Sequence, residues 1–328
     1  MLQLIRYICT FLLSFCITVY YRRWAIEHSV LDIPNERSSH ELPTPSGGGI
    51  AIIISFYLGI TCLYFNCHVA KDVFFALLPG LVLAMIGFYD DIRKLNWLVR
   101  LTAQFLCSGI GIFFLGGMHP LFGNSLPWVW NIVALIGIVW FINLFNFMDG
   151  SDGYASMEAI SISLGFWLFT GNDILALIVF SVGGFLYWNW PTAKIFMGDS
   201  GSTALGYILV IIGIYFHNAS ILGFSFWIII TALFWFDANI TIIRRIFNKE
   251  KINQPHKKHM YQRALQGGFS HLRTLLSGLL INVLLFMICL GIYNNIFNLL
   301  TGFLMTFIIL LIALKFVDWK FPFKHTYT

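Results

Sequence analysis

The sequence predicts an all-α polytopic membrane protein, and three observations support this. Hydrophobic residues make up 58% of the 328 residues and charged residues only 11%, whereas soluble domains average roughly 45–50% and about 25%. The mean hydropathy is +0.79. Long apolar stretches recur along the whole chain. A soluble globule could not hide so much apolar surface, so soluble enzymes, coiled coils, disordered chains and free nucleic-acid binders are excluded.

About eleven transmembrane helices are expected, in one integral membrane domain covering 1–328. A bilayer core of roughly 30 Å requires about 18 consecutive apolar residues, and a helix satisfies its own backbone hydrogen bonds in lipid. Suitable stretches lie near 2–21, 48–66, 73–89, 98–117, 128–147, 154–170, 174–190, 201–217, 221–242, 274–294 and 297–317.

The charge distribution predicts the orientation. Arg22 and Arg23 follow the first stretch without a small-residue cleavage site before them, which indicates a retained helix with its N-terminus outside. Threading eleven helices from there places eighteen of the twenty Lys and Arg on one face, which the positive-inside rule makes cytoplasmic, together with the C-terminus. Nearly all carboxylates share that face. Active-site loops are therefore expected there, at about 22–47, 90–97, 148–153, 191–200 and 243–273.

The six cysteines indicate neither metal nor redox chemistry. They lie in or beside apolar runs and show no Cys-x-x-Cys spacing. Cys62 and Cys67 are the one pair close enough in sequence for a disulfide or a metal site. We interpret all six as small apolar residues.

The loop before the second apolar stretch ends in three glycines. Residues 43–49 read Pro-Thr-Pro-Ser-Gly-Gly-Gly and follow Arg37 and His40. Glycines let backbone N–H groups approach a ligand, and a helix N-terminus favours an anion. A flexible hinge before the helix explains the same residues equally well, so both interpretations stay open.

Two adjacent carboxylates, Asp90 and Asp91, end the third stretch. Neighbouring side chains point about 100° apart on a helix, so at most one of them faces a given ligand directly. Lys94 follows Asp90 by four residues, on the same helix face. Taken alone, this motif is best explained as a solvated helix end with an ion pair.

Polar side chains recur every three residues at the end of the fifth stretch. Asn143, Asn146 and Asp149 follow one stripe of the helix, and Asp152 comes directly after it. Polar groups that face lipid are costly, so the stripe should face the bundle interior or a wet cleft. Hydrogen bonding between helices is the structural alternative. Two Asp-Gly steps, at 149–150 and 152–153, favour a functional site.

A single carboxylate, Asp199, opens the eighth stretch among small residues and hydroxyls: residues 194–202 read Lys-Ile-Phe-Met-Gly-Asp-Ser-Gly-Ser. Mg²⁺ takes one or two protein carboxylates and completes its octahedron with water and phosphate oxygens, so this residue suits such an ion. Phe196 could stack on a base, although its spacing is better explained by a core position.

The last motif is a strongly basic stretch, 244–273, which we call the basic loop. It contains His256 and His259. It could be a topogenic loop that meets anionic headgroups, a zinc site that lacks a third ligand, or a phosphate-binding loop. The phosphate-binding interpretation explains both the cations and the histidines. Asp237, about two turns before Arg244, is expected to face the protein interior.

In this order the motifs resemble the polyprenyl-phosphate N-acetylaminosugar-1-phosphate transferases of glycosyltransferase family 4. The resemblance covers nearly the whole chain, and five motifs in register are specific although each alone is weak. They are Pro43-Thr-Pro45-x-Gly-Gly, Asp90-Asp91, Asn146-x-x-Asp149-Gly-x-Asp152-Gly, Phe196-Met-Gly-Asp199-x-Gly-Ser and a basic loop with histidines.

The resemblance implies a Mg²⁺-dependent enzyme, with Mn²⁺ as an alternative ion. It would transfer an N-acetylaminosugar-1-phosphate from a UDP-sugar to undecaprenyl phosphate, release UMP, and thereby initiate O-antigen or other cell-surface polysaccharide synthesis. The implied location is the bacterial inner membrane, with the active site on the cytoplasmic face. The implied partners are the UDP-N-acetylaminosugar, undecaprenyl phosphate and membrane lipid, without nucleic acid, and a homodimer is allowed.

The resemblance also implies roles for particular residues. Asp199 would be the metal ligand, and Asp90 would engage or deprotonate the lipid phosphate beside Asp91. A phosphate monoester has a second pKa near 6, so a general base is not obviously required. The catalytic set is then Asp90, Asp91 and Asp199, and the nucleotide- or substrate-binding set is Asn146, Asp149, Asp152, Phe196, Lys94, His256 and His259.

The sequence departs from the family pattern in the basic loop. A tighter run of histidines is replaced by Pro255-His256-Lys-Lys-His259-Met-Tyr261-Gln-Arg263, which resembles the branch that serves O-antigen or capsule synthesis with deoxy N-acetyl sugars. Because this loop faces the sugar in the family, the identity of the sugar stays open.

A transporter or flippase for a polyprenyl-linked or anionic substrate is the alternative from another class. Transport folds place broken helices and ionisable residues near the membrane midplane. Here the acidic residues cluster at the cytoplasmic helix ends instead. A non-catalytic scaffold would have no use for five polar clusters on one face.

Overall fold

A computed structural model describes residues 2–34, 42–123, 126–251, 254 and 256–323. Within them the chain forms fourteen helices and one pair of two-residue strands, β1 (Leu31–Asp32) and β2 (Thr44–Pro45), which run antiparallel. The helices are α1 (Leu2–Glu27), α2 (Ile50–Phe65), α3 (Lys71–Leu77), α4 (Pro79–Ile92), α5 (Trp97–Phe114), α6 (Pro127–Phe147), α7 (Tyr154–Thr170), α8 (Asp173–Asn189), α9 (Gly198–Asn218), α10 (Phe224–Ile230), α11 (Ala232–Phe247), α12 (Met260–Gln266), α13 (His271–Tyr293) and α14 (Leu299–Lys320).

Every predicted apolar stretch coincides with a helix or with two consecutive helices. Pro79 begins α4 directly after α3 and, because it has no backbone N–H, interrupts the helical hydrogen bonding there. The helices α10 and α11 meet at a bend of 69°. Within the described residues, seven spans are long and apolar enough to cross a membrane, counting α3–α4 as one, or eight if α10–α11 also counts. This agrees with an all-α polytopic membrane protein.

The count of eleven spans and the sides of the two termini stay predictions. The helices α2, α7 and α8 are 16 or 17 residues long, at or below the lower end of the range for a span. Hydropathy had placed all three among the spans. It does not show where a helix begins and ends, and those positions set the length of the helix.

Helix α9 lies at the centre of the bundle. Its residues from Ser200 to Ile214 are buried without interruption, and it packs mainly against α4 and α6. A Cβ atom on Gly87 of α4 would come within 2.4 Å of the Asp199 carbonyl oxygen, so only glycine permits this close approach of the two helices. The acidic end of α4 and the acidic start of α9 therefore lie side by side.

All six cysteines are free, including Cys62 and Cys67. Cys107 and Cys289 are buried and the other four are exposed, on α1 and at the end of α2. Their interpretation as small apolar residues agrees with this arrangement.

Candidate active site

The start of α9 is held by a carboxylate from α4. The backbone N–H groups of Asp199 and Ser200 donate to Asp91 Oδ1 and Oδ2 at 2.9 and 3.2 Å. A carboxylate at this position satisfies two N–H groups that the helix itself leaves unpaired, and it also complements the helix dipole. The contacts give Asp91 a capping role, and the predicted catalytic role of this residue stays a prediction.

The glycine run before α2 packs against α9 and does not present its N–H groups to a ligand. The N–H groups of Gly48 and Gly49 donate to the carbonyls of Phe196 and Met197 at 2.9 and 2.8 Å. A Cβ atom on Gly49 would lie 2.3 Å from Cα of Gly201, so the two segments touch through their backbones. Of the two interpretations that the sequence left open, the structure therefore excludes a cradle built from these two N–H groups. Arg37 and His40, in the preceding loop, lie outside the described residues.

Asp90 and Asp199 share one cation. Arg100, in the first turn of α5, places Nη1 2.7 Å from Asp199 Oδ2 and 3.1 Å from Asp90 Oδ2. Asp90 is almost fully buried and also accepts the Leu95 N–H at 2.6 Å. Lys94 Nζ is 3.8 Å from Asp90 Oδ2, but its side chain is 82% exposed. The predicted ion pair with Lys94 is therefore weak, and Arg100 is the main partner of both carboxylates.

Arg100 was not predicted as a site residue. It lies ten residues after Asp90 and on another helix, so neither helical periodicity nor the motif spacing connects the two. One signal was present: a cation in the first turn of a helix opposes the helix dipole. Such a position needs a compensating anion, and Arg100 has two.

Asn146 fixes the other oxygen of the Asp199 carboxylate. Its Nδ2 donates to Asp199 Oδ1 and to Ser202 Oγ, both at 2.9 Å. Asn143, one turn earlier on α6, instead donates to Gln104 Oε1 of α5 at 2.7 Å. The polar stripe of α6 thus faces the interior as predicted. Asn143 joins α6 to α5, and Asn146 contacts the Asp199 carboxylate.

The turn between α6 and α7 contributes two more carboxylates. Burial, followed by the negative charges of Asp199 and Asp91, raises the pKa of Asp149 well above its usual value. Asp152 is buried, and its Oδ2 accepts the Ala193 N–H at 3.0 Å. We call the group Asp90, Arg100, Asn146, Asp149 and Asp199 the acidic cleft. Four of these five residues were predicted from sequence.

Phe196 is half-buried. Its N–H donates to the Pro45 carbonyl at 2.8 Å, which fixes the backbone on the side where the glycine run approaches. The predicted stacking of its ring on a base stays a prediction.

Four of the eight Lys and Arg in the basic loop pair with carboxylates of the protein. Arg244 binds the two oxygens of Asp318 at 2.8 and 2.6 Å, and the buried Arg263 binds Asp318 Oδ1 at 2.7 Å. Lys258 lies 2.8 Å from Glu250, and Arg245 binds Glu250 and nearby backbone carbonyls. These four cations pair with carboxylates that are distant in sequence or that fold back onto the loop. The phosphate-binding interpretation of the loop stays a prediction.

The end of the chain completes this packing. The residues 318–323, which we call the C-terminal segment, place the Phe323 ring 5.3–5.5 Å from Arg244, Lys258 and Arg263. The Phe321 carbonyl accepts from Arg263 at 2.9 Å. Cations over an aromatic face gain further stabilisation. The basic loop is therefore a folded element joined to α14.

The two histidines of the basic loop lie together, with ring centroids 4.9 Å apart. His259 is buried, and its Nδ1 lies 3.6 Å from Asp237 Oδ1. Asp237 also accepts the Met260 N–H at 2.8 and 2.9 Å, so it holds the start of α12 as well. Burial, with the positive charges of His259, Arg245 and Lys258, lowers the pKa of His256 to about 3. His256 is therefore neutral at physiological pH in this arrangement, and its predicted role in substrate binding stays a prediction.

The acidic cleft suits a divalent cation. In the part of the chain that the structure describes, no three His, Cys, Asp or Glu side chains converge as a ligand cluster. Mg²⁺ needs only one or two protein carboxylates. Here the Arg100 guanidinium already lies between Asp90 and Asp199, so the two carboxylates converge on positive charge. Asp149 adds a third carboxyl group, whose pKa is raised first by burial and then by the negative charges of Asp199 and Asp91.

Comparison with known proteins connects this site to one family. The model for glycosyl transferase family 4 matches residues 73–217, the range that runs from α3 to α9 and contains the acidic cleft.

Among the relatives that match most of the chain, two are named for the transfer of N-acetylglucosaminyl 1-phosphate. A probable undecaprenyl-phosphate N-acetylglucosaminyl 1-phosphate transferase of Bacillus subtilis is 30% identical over 289 residues, which is 82% of this chain and 80% of the relative. The undecaprenyl-phosphate alpha-N-acetylglucosaminyl 1-phosphate transferase of Thermotoga maritima is 30% identical over 259 residues, 76% of this chain and 78% of the relative.

A third relative acts on a different sugar, according to its name. The phospho-N-acetylmuramoyl-pentapeptide-transferase of Lacticaseibacillus paracasei is 32% identical over 207 residues, covering 53% of this chain and 62% of the relative. The similarity thus extends to relatives named for different sugars.

Proposed function

The chain belongs to glycosyl transferase family 4, and from this membership we propose that it transfers an N-acetylaminosugar-1-phosphate from a UDP-sugar to undecaprenyl phosphate. Family and relatives support a multi-pass membrane transferase that acts on a polyprenyl phosphate. The UDP donor, the metal ion, the residue roles and the pathway are our own assignments.

One observation carries the proposal for the site: Asp90, Asn146 and Asp199, from three different helices, meet at the start of the central helix α9. A group of carboxylates at helix ends, only partly neutralised by Arg100, suits a substrate that carries a diphosphate together with its cation. A transporter would instead require such groups along a path through the membrane.

The proposed reaction is a displacement at phosphorus. An oxygen of the undecaprenyl phosphate attacks the β-phosphorus of the UDP-sugar, and a new P–O–P linkage forms. The bond between the β-phosphorus and the oxygen that bridges to the α-phosphate breaks, and UMP leaves with that oxygen. The attacking phosphate is largely deprotonated at pH 7 because its second pKa is near 6. Positioning and charge neutralisation then supply most of the catalysis.

The residues of the chain have distinct roles in this proposal. Asp90 engages the lipid phosphate, and the contacts from Leu95 and Arg100 fix its orientation. Asn146 orients Asp199, and Asp91 fixes the start of α9 that carries it. Mg²⁺, with Mn²⁺ as a substitute, would be held by Asp199 and would neutralise charge on the phosphate oxygens.

The remaining assignments concern the donor and the pathway. Asp149, Asp152 and Phe196 line the nucleotide pocket, with Asp152 and Phe196 at the uracil, and His256 and His259 lie in the loop nearest the sugar. We assign the donor to the UDP-N-acetyl sugars and the pathway to initiation of O-antigen or another cell-surface polysaccharide. We place the active site at the cytoplasmic face of the inner membrane, and a homodimer is allowed.

The test is a UMP-release assay on the purified protein. Undecaprenyl phosphate is supplied with a panel of UDP-N-acetyl sugars, including UDP-GlcNAc, UDP-MurNAc-pentapeptide and deoxy sugars, with Mg²⁺ or with EDTA. We expect Mg²⁺-dependent UMP release with at least one donor. Silence across the panel would favour the transporter or flippase.

Asp199→Asn tests the metal assignment. We expect it to abolish UMP release while the protein remains extractable and monodisperse, since the amide keeps the size of the carboxylate and removes its charge. Asp72→Asn, at an exposed aspartate at the start of α3, is the matched control and should be as active as the unaltered protein. Near-normal activity of Asp199→Asn would refute the metal assignment.

A further inference from the structure

His271 connects the start of α13 to the turn between α6 and α7. Its Nδ1 lies 3.1 Å from Ser151 Oγ and 3.1 Å from the backbone nitrogen of Asp152. These residues are 119 and 120 positions apart in sequence. The imidazole side chain is 23% exposed, and Ser151 and Asp152 are both buried. A histidine from the far end of the basic loop thus contacts the turn that carries Asp149.

The contact indicates which nitrogen of the ring is the acceptor in this arrangement. A backbone N–H can only donate, so Nδ1 of His271 must be the acceptor, and the neutral ring carries its proton on Nε2. The Ser151 hydroxyl can donate to the same nitrogen. Asp152 Oδ1 lies 3.4 Å from Nδ1, and in this tautomer both atoms are acceptors. The ring therefore holds the Ser151–Asp152 backbone.

The same turn is fixed from a second direction. Asp152 Oδ2 accepts the Ala193 N–H at 3.0 Å, and the Gly153 N–H donates to Asn189 Oδ1 at 3.1 Å. Gly153 has a φ of +69°, a conformation in which a larger residue would be strained. The α8 end and the loop after it thus determine one side of the turn, and His271 determines the other.

We propose that His271 is a positioning residue for the nucleotide, which acts by holding the Ser151–Asp152 backbone and so the orientation of Asp152. This rests on the proposed function, in which Asp152 contacts the uracil of the donor. The ligand concerned is a uridine nucleotide. Loss of His271 should weaken the binding of UMP and of the UDP-sugar, with little effect on the lipid substrate or on turnover at saturation.

Three substitutions of one residue separate this role from a general structural one. His271→Ala removes the acceptor. His271→Asn keeps an oxygen acceptor close to the position of Nδ1, whereas His271→Gln places it one carbon farther away. His68→Ala, at an exposed histidine in the loop after α2, is the matched control.

Two measurements apply to each variant: the Kd for UMP on the purified full-length protein, and kcat with separate KM values for the UDP-sugar and undecaprenyl phosphate. For His271→Ala and His271→Gln we expect the Kd for UMP and the KM for the UDP-sugar to rise about tenfold, the loss of one hydrogen bond. The kcat and the KM for the lipid should stay within about twofold. His271→Asn should restore the nucleotide affinity to within about threefold of the original.

Every other result counts against the proposal. Unchanged UMP affinity in His271→Ala would overturn it, as would an equal loss in kcat and both KM values. A His271→Asn variant that binds UMP as weakly as His271→Gln would also overturn it. If His271→Ala does not fold, the comparison of these two variants is the test. An unaltered protein that neither binds UMP nor acts on any donor would overturn the proposed function as well. An active protein whose His271 variants match it would overturn only the role of His271.

Discussion

The acidic cleft and the basic loop differ in what their ion pairs hold in place. In the cleft, Asp90 and Asp199 share the single guanidinium of Arg100, and burial raises the pKa of Asp149. In the basic loop, Arg244 and Arg263 share Asp318, and Arg245 and Lys258 share Glu250. In both regions two like charges share one counter-charge, so the cleft keeps net negative charge and the loop keeps net positive charge. The pairs of the cleft hold carboxylates close to one another, whereas those of the loop join four of its eight cations to α14 or to the loop itself.

The difference shows that charge density in a sequence does not indicate which charges are available to a ligand. The basic loop has the higher density of charge. Its paired cations nevertheless stabilise the packing of α12 and of the C-terminal segment. The sparser carboxylates of the cleft lack enough cations and therefore suit a metal ion with a diphosphate. Three changes test this contrast.

The largest effect is expected in the cleft, from Arg100→Ala. Without the guanidinium, Asp90 and Asp199 repel each other and lose their common orientation. We expect UMP release to fall about 100-fold, the size seen when one preorganised charge stabiliser is removed. Arg100→Lys should recover part of the rate because a positive charge returns without the planar geometry.

The measurement is the initial rate of UMP release at saturating substrates. Lys315→Ala, at an exposed cation on α14, is the control. If Arg100→Ala retained more than half of the activity, the cleft would not depend on this cation. The contrast between the acidic cleft and the basic loop would then be wrong for the cleft.

A smaller effect, on stability more than on catalysis, is expected from Asp318→Ala in the C-terminal segment. The change leaves the buried Arg263 and the partly exposed Arg244 without their carboxylate. Because Asp318 is itself 31% exposed, we expect a loss of about 1–3 kcal/mol in the free energy of unfolding. Thermal unfolding of the detergent-solubilised protein measures it. If the unfolding temperature did not change, Asp318 would not hold Arg244 and Arg263 in place. The same would follow if the variant bound phosphate more tightly without a loss of stability.

The smallest effect concerns pH. The stability of the basic loop and the stability of the acidic cleft should change in opposite directions when the pH changes. The folded pKa of His256, about 3, lies below its value of 6.5 in the unfolded chain. The unfolded chain therefore takes up the proton first, and the loop loses stability as the pH falls below about 6.5. The pKa of Asp149 is raised on folding, so the cleft loses stability as the pH rises above the ordinary pKa of an aspartate.

Acidification from pH 7.5 to 5 should therefore cost the basic loop about 1 kcal/mol, roughly half of the full linkage value because His256 is partly exposed to solvent. Hydrogen exchange of residues 256–266 measures this cost, and His256→Asn should remove most of the pH dependence. Asp149→Asn should remove the opposite dependence of the cleft. A basic loop that became more protected at pH 5 would contradict the sign.

Much of the site was predictable because its motifs lie at helix ends. The polar stripe of α6 and the small residues around Asp199 indicated an interior polar cluster, and the structure joins Asn146 to Asp199. Three features were not predictable in the same way. Asp91 caps α9, Arg100 joins two carboxylates, and Asp318 pairs with Arg244 and Arg263. Each depends on which helices pack together, and sequence spacing carries no information about that.

The sequence by itself determined the class of molecule and the polar motifs. Apolar stretches must be buried in lipid or in the bundle, and charges confined to their ends must face water or each other. Only the tertiary structure decided which charges remain available. It brings the end of α4 against the start of α9 at Gly87 and folds the C-terminal segment onto the basic loop. How far a charge is available to a ligand depends on the opposite charges packed beside it, and that is settled by contacts between residues up to about a hundred positions apart.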